Sequence, residues 1–112
     1  MEELDLRDIN MSIKTSFSSK CYSLLRRVPR GKITTYKALA NAMGTKAYRA
    51  VGTAMNKNPY APEVPCHRVV NSNGNVGQFA SGTRKKIEML RREGIPIKDN
   101  RIENMEMFLY KF

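Results

Sequence analysis

Few residues in this sequence can act as nucleophile, base or metal ligand, and they gather in one stretch, Pro65-Cys66-His67-Arg68-Val69-Val70. A cysteine attacks as its thiolate, and a free thiol with a pKa of about 8.5 is only slightly ionised at neutral pH. A site that uses Cys66 must lower that pKa or provide an acceptor for the proton, and His67 and Arg68 follow at once. The same residues also have a structural reading. Cys66 is then a small buried apolar side chain, as Cys21 is expected to be on its helix. His67 is a hydrogen-bonded core histidine, and Arg68 is a surface cation or a tie to backbone carbonyls. Consecutive side chains of an extended chain point to opposite sides, so adjacency leaves both readings open. His67 would reach Cys66 only through an intermediary such as a water. Two cysteines and one histidine cannot build a four-ligand zinc site without carboxylates or a second chain, so no metal is expected.

The charge pattern indicates what such a site would meet. The 112 residues carry 20 Lys and Arg against 10 Asp and Glu, a formal charge of +10. Residues 1–10 hold Glu2, Glu3, Asp5 and Asp8 against Arg7. From Met11 to Tyr60 there is no acidic residue, while Arg26, Arg27, Arg30, Lys46, Arg49 and Lys57 are among the basic ones. A stretch of one sign repels itself unless a polyanion neutralises it, and phosphates fit; a solvated basic surface has the same composition. Membrane adhesion wants large apolar anchors, and the chain has no Trp. No apolar run approaches the ~20 residues of a membrane span, and the acidic start lacks the basic region of a secretory signal. We expect a cytoplasmic, monomeric domain whose partner is nucleic acid and not a membrane. With 41% hydrophobic and 27% charged residues, one globular domain is expected.

The elements that must position the cysteine follow from periodicity and punctuation. Thr15 to Val28 reads as a helix, with Phe17, Cys21, Leu24, Leu25 and Val28 at helical spacing, stopped by Pro29-Arg30-Gly31. Lys32-Ile33-Thr34 suits one brief strand. Thr34 or Thr35 caps a second helix holding Tyr36, Leu39, Ala40 and Met43, which Gly44 ends. Thr45 caps a third, through Tyr48, Val51, Ala54 and Met55. Two short helices joined at a glycine match a helix-turn-helix whose second helix reads DNA. Asn58 to Pro65 is irregular because of its prolines, and Cys66 through Val70 reads as extended. Asn73-Gly74 marks a turn. A fourth helix follows Ser81-Gly82-Thr83, with Ile87, Leu90 and Met89 inward, and Glu93-Gly94 closes it. Asn100 to Phe112 suits a short packing helix. The fold class is mainly α with a few short strands.

Pro65-Cys66-His67-Arg68-Val69-Val70 resembles the active-site signature of the O6-alkylguanine-DNA alkyltransferases, the methylated-DNA–protein-cysteine methyltransferases. Lys32 to Ala40 resembles that family's strand and first motif helix. Arg49 to Pro59 resembles its recognition helix and Asn hinge, Gly74 to Gly82 the loop over its guanine pocket, and Leu90-Arg91-Arg92-Glu93-Gly94 its last helix end. These segments stand in order over about residues 15 to 100. The resemblance implies a small single domain with a winged-helix-like helix-turn-helix. An acidic arm would occupy residues 1–14 and the DNA-binding and catalytic domain residues 15–112. Many members carry a further N-terminal domain, so the catalytic half alone is expected here.

The implied activity is irreversible, single-turnover repair of double-stranded DNA. The alkyl group on O6 of guanine, or O4 of thymine, moves to Cys66 as a thioether without metal or organic cofactor. In that scheme Cys66 is the nucleophile, His67 takes its proton through a water, and Glu93 orients His67. Asn58 holds the turn between reader helix and active-site loop, and Tyr36 donates to N3 of the departing guanine. Stacking and pairing cover O6, so the base must be extruded. Arg49 would fill the gap, with Thr45, Ala50, Gly52, Thr53 and Arg68 also on DNA. Val69, Phe79, Ala80 and Ser81 would line the pocket, Phe79 and Ala80 standing where Tyr and Ser are frequent. Gly52, which costs a helix about 1 kcal/mol relative to Ala, is explained equally by close approach to a minor groove or by tight helix packing. The alternatives are a damage-binding relative that flips alkylguanine without repairing it, in which the cysteine is typically replaced, and a plain helix-turn-helix regulator.

Overall fold

The computed structural model describes residues 17–79 and 81–112; the arm over 1–14 and Ala80 lie outside them. The first helix, α1, covers residues 17–25. It buries Cys21, Tyr22 and Leu25 and closes through hydrogen bonds from Arg27 to Leu24 and from Val28 to Leu25, ahead of Pro29. Gly31, at φ +88, turns the chain into strand β1 (Thr34–Thr35). Thr35 then caps α2 (Tyr36–Ala42), its hydroxyl accepting from the Ala38 amide at 2.9 Å. Gly44 ends the connection in the left-handed region at φ +73. Thr45 was expected to cap the next helix, but α3 spans Tyr48–Asn56 with Ala47 at its cap and no side-chain cap bond. Thr45 Oγ1 instead accepts from the Ala47 amide at 3.1 Å, inside the turn. Val51, Ala54 and Met55 face inward, as periodicity requires, while Tyr48 stays exposed.

Cys66–Arg68, expected to be extended, forms one turn of 3-10 helix. Strand β2 (Val69–Val70) follows and pairs in parallel with β1, Thr34 opposite Val69 and Thr35 opposite Val70. Parallel neighbours need a long crossover. Here the crossover is the α2–α3 helix pair plus the loop to Pro65, so the helix-turn-helix is an insertion between two adjacent strands. The β2 side chains alternate: Val69 enters a core shared by α1, α2 and α3, and Val70 a second one beneath α4. Each fully buried Val or Leu there contributes ~1.5–3 kcal/mol, so the turn carrying Cys66 is anchored from both sides.

Asn71–Asn75 forms the expected turn, with Gly74 at φ +91, and α4 runs Thr83–Arg92. The tail departs from the expected single helix. Strands β3 (Ile97–Lys98) and β4 (Arg101–Ile102) make an antiparallel hairpin. Its turn places Asp99 and Asn100 at φ 51 and 61, which two short polar residues tolerate. Only Met105–Phe108 is helical (α5), and Ile33 binds the chain on either side of Leu109. Mainly helical, with a helix-turn-helix and a few short strands, is the fold class observed. No helix among the described residues is long and apolar enough to cross a membrane.

Candidate active site

The 3-10 turn fixes which way the reactive residues point. Side chains in such a turn step by about a third of a revolution, so Cys66, His67 and Arg68 fan out rather than alternate. Arg68 is drawn to the end of α4, where its Nε donates to Glu93 Oε1 (2.8 Å) and its Nη2 to Oε2 (2.7 Å). Its Nη1 donates to the Val28 carbonyl at 2.8 Å. Only 15% of this side chain is exposed. Arg68 was expected on DNA; the two-pronged carboxylate pairing and the carbonyl tie make it a structural cation instead.

His67 is 3% exposed and places Nε2 3.0 Å from Glu93 Oε2. With a proton on Nε2 for that bond, the lone pair sits on Nδ1, the tautomer a base needs. Burial pushes the His67 pKa below its ordinary value; Glu93 opposes this, and Arg68 and Lys86 add to it. His67 is therefore neutral at pH 7. For Glu93, burial alone would raise the pKa, but the hydrogen bonds from Arg68 and His67 outweigh it and hold the carboxyl below its usual range. Glu93 caps α4 at its C-terminal end, where the helix dipole disfavours an anion; the two partners compensate.

Cys66 is 8% exposed and Cys21 fully buried. Burial drives the Cys21 thiol up to about 12, so it stays protonated and inert. Asn58 clamps the loop that leads into the turn: its Nδ2 donates to the Val64 carbonyl (2.8 Å), and its Oδ1 accepts from the Tyr60 amide (2.9 Å). Tyr22 adds a buried tie from below, donating to the Ala54 carbonyl at 2.8 Å.

Beside this cluster opens a cleft of ≈ 510 Å³ lined by Tyr36, Gly52, Asn56, Asn71, Asn75, Gly77, Gln78, Thr83 and Asn100. Tyr36 and Gly52 of the expected set lie on it; Cys66 does not form part of the lining. Arg49, Ala50 and Thr53 are exposed on α3, and Thr45 is half-buried before it. A Cβ added to Gly52 would meet nothing within 4 Å, which removes tight packing as the reason for that glycine. Val69, expected in the pocket, is fully buried and belongs to the core. Phe79 is half-buried against the first core, and Ser81 is exposed. The amide-rich lining was not anticipated. Neither was Lys86, which is fully buried, with Nζ 3.4 Å from the Gln78 carbonyl and 5.9 Å from the Tyr36 ring centroid. Burial lowers its pKa to about 8, with Cys66 acting in the opposite direction. Its signal was the stripe 86–90–93, at spacings of four and three, which places Lys86 on the same helix face as Leu90 and Glu93.

The sequence profile of the 6-O-methylguanine DNA methyltransferase DNA binding domain matches residues 16–95. A methylated-DNA–protein-cysteine methyltransferase of Metallosphaera sedula is 43% identical over 95 residues, 84% of this chain and 60% of that protein. The crystal structure of the O6-methylguanine-DNA methyltransferase of Pyrococcus kodakaraensis KOD1 aligns at a TM-score of 0.67 and 44% identity, covering 80% of this chain and 53% of that one. S. pombe Atl1, solved with damaged DNA containing O6-carboxymethylguanine, aligns at 0.77 and 29% identity, covering 87% and 96%. The chain spans 29–60% of the length of curated relatives it matches. By the extent of the profile match and the identity to these relatives, this chain belongs to the 6-O-methylguanine DNA methyltransferase family, in its DNA-binding domain.

Proposed function

We propose that this chain repairs DNA directly, accepting the alkyl group of O6-alkylguanine on Cys66 in a single irreversible turnover. The observation that carries the reading is the Glu93–His67 pair at 3.0 Å next to a free cysteine, within a chain of this family. Glu93 holds His67 in the tautomer whose Nδ1 is free to take the Cys66 proton through a water. The sulfur attacks the alkyl carbon, the C–O6 bond breaks, and the guanine leaves with the bonding pair and takes up a proton. In this reading Tyr36, which lines the cleft, donates to that base, and burial raises its pKa and keeps its hydroxyl protonated. The exposed α3 face, with Arg49, Ala50 and Thr53, is the DNA-reading surface, and Gly52 lets the duplex approach the cleft. Residues 15–112 thus hold both the reader and the acceptor, the catalytic half of the family's longer members.

Incubation with a duplex containing O6-methylguanine, followed by mass analysis of the Cys66 peptide, tests this. Transfer adds about 14 Da, one CH2 on the sulfur, and Cys66→Ala abolishes the adduct while duplex binding persists. An unmodified peptide in a tight complex overturns repair in favour of damage binding alone, a reading that retention of Cys66 does not favour.

A further inference from the structure

Arg27, Arg30, Lys32 and Arg92 converge at the C-terminal end of α4. Arg68 joins the turn after α1 to that end by holding both the Val28 carbonyl and Glu93. A Cβ on Gly31 would meet the Glu93 carbonyl at 3.6 Å, and Arg30 Nη2 donates to the Arg92 carbonyl at 2.9 Å. Lys32 Nζ donates to the Met107 carbonyl of the adjoining α5 at 3.1 Å. Arg27, Arg30 and Arg92 are exposed, and Lys32 is half-buried. The carboxylate built into this end, Glu93, is taken by Arg68 and His67. Among the described residues none of these four cations is ion-paired. The helix terminus supplies about half a negative charge, which leaves most of the patch uncompensated. The patch is also remote from the cleft. Thr83, at the start of α4, lines the cleft, whereas Arg92 ends this 10-residue helix, about 14 Å further along its axis. Lys86 and Leu90 are fully buried between the two ends.

We propose that this patch is a second nucleic-acid site, which holds the sugar–phosphate backbone of another DNA segment while α3 lies on the first. The proposal rests on the reading of α3 as the first site. Cations that lack carboxylate partners attract a polyanion through release of its counterions, without preference for sequence, and guanidinium groups match the geometry of phosphate oxygens. Around a protein already seated on DNA, the polyanion at the highest local concentration is a further stretch of the same molecule. An acidic protein meets the charge requirement but has no such advantage in concentration. Contact with two segments at once lets the protein pass from one to the other without release into solution, which shortens the search for a rare lesion.

The experiment immobilises a short undamaged duplex, loads the full chain on it, and measures retention of a second, fluorescent duplex. The unmodified protein captures the second duplex, and capture falls steeply as salt rises. Arg30→Gln/Arg92→Gln removes two of the four contacts, so the log–log salt slope of capture drops by about 2 and capture in about 0.1 M salt drops at least tenfold. The same variant transfers methyl from a short lesion-bearing duplex at the unmodified rate. Arg30→Lys/Arg92→Lys keeps both charges and retains capture. Absence of capture by the unmodified protein, or capture undiminished in the Gln variant, overturns the proposal. Binding of poly-glutamate through Arg30 and Arg92, with no capture of a second duplex, overturns it in favour of an acidic protein partner. Failure of the unmodified protein to bind the first duplex overturns the reading of α3 instead.

Discussion

Glu93→Gln keeps the shape of the side chain and removes the charge that holds two buried partners, so its effect can be worked out from the geometry. Glu93 is 9% exposed and Arg68 15%, so solvent replaces little of the lost interaction. Breaking a buried pair from one side costs about 3–5 kcal/mol. Gln still accepts one bond, and Arg68 keeps the Val28 carbonyl, which places the loss at roughly 2–4 kcal/mol. Removing both charges with Glu93→Gln/Arg68→Met leaves no orphan cation, so the double variant loses less than the sum of the singles. The pH dependence has a definite sign. The native carboxyl titrates below its unfolded value of about 4.3. Its stabilisation is complete above that value and is lost as pH falls through the native pKa. Urea midpoints of wild type, both singles and the double, measured from pH 7 to 3, give the coupling energy and its pH profile. Additive single losses, or a gap between wild type and Glu93→Gln that stays constant down to pH 3, would refute the assigned pairing.

Two other substitutions separate structure from function. Gly52→Ala raises stability by about 1 kcal/mol, because the helix gains and the new methyl meets nothing within 4 Å; thermal melting reads that gain, and a mobility-shift titration reads weaker duplex binding. A stable variant with unchanged DNA affinity removes Gly52 from the interface. Asn58→Ala takes one of two donors from the Val64 carbonyl, which keeps the Cys66 amide, and leaves the Tyr60 amide to solvent, costing about 1 kcal/mol and loosening the approach to Cys66. Urea unfolding and the rate of methyl transfer should both register it, and a change in neither refutes the clamp.

The helices, the Gly44 stop and the Asn73-Gly74 turn were legible because each rests on local chemistry: apolar spacing, a left-handed glycine, a short polar turn. The Cys66–His67–Glu93 grouping was reachable only through resemblance, since nothing local brings residues 26 apart into contact. Cys66–Arg68 read as extended because its β-branched neighbours Val69 and Val70 favour strand, whereas Pro65 and the pull of Glu93 on Arg68 wind it into a turn. The β3–β4 hairpin was hidden because its strands are two residues long and its turn uses Asp99-Asn100 in place of a glycine. Lys86 went unread because a lysine is assumed to face water, an assumption that fails on the inner stripe of α4.

The parallel pairing of β1 with β2 has an evolutionary consequence. Because α2 and α3 leave one strand and return to its neighbour, the chain can lengthen or shorten in the bend at residues 44–47 without shifting either rung. For the alkyl transfer proposed above, the placement of α2 and α3 and the seat of the Cys66 sulfur are then adjustable separately, and changes in the one need not disturb the other.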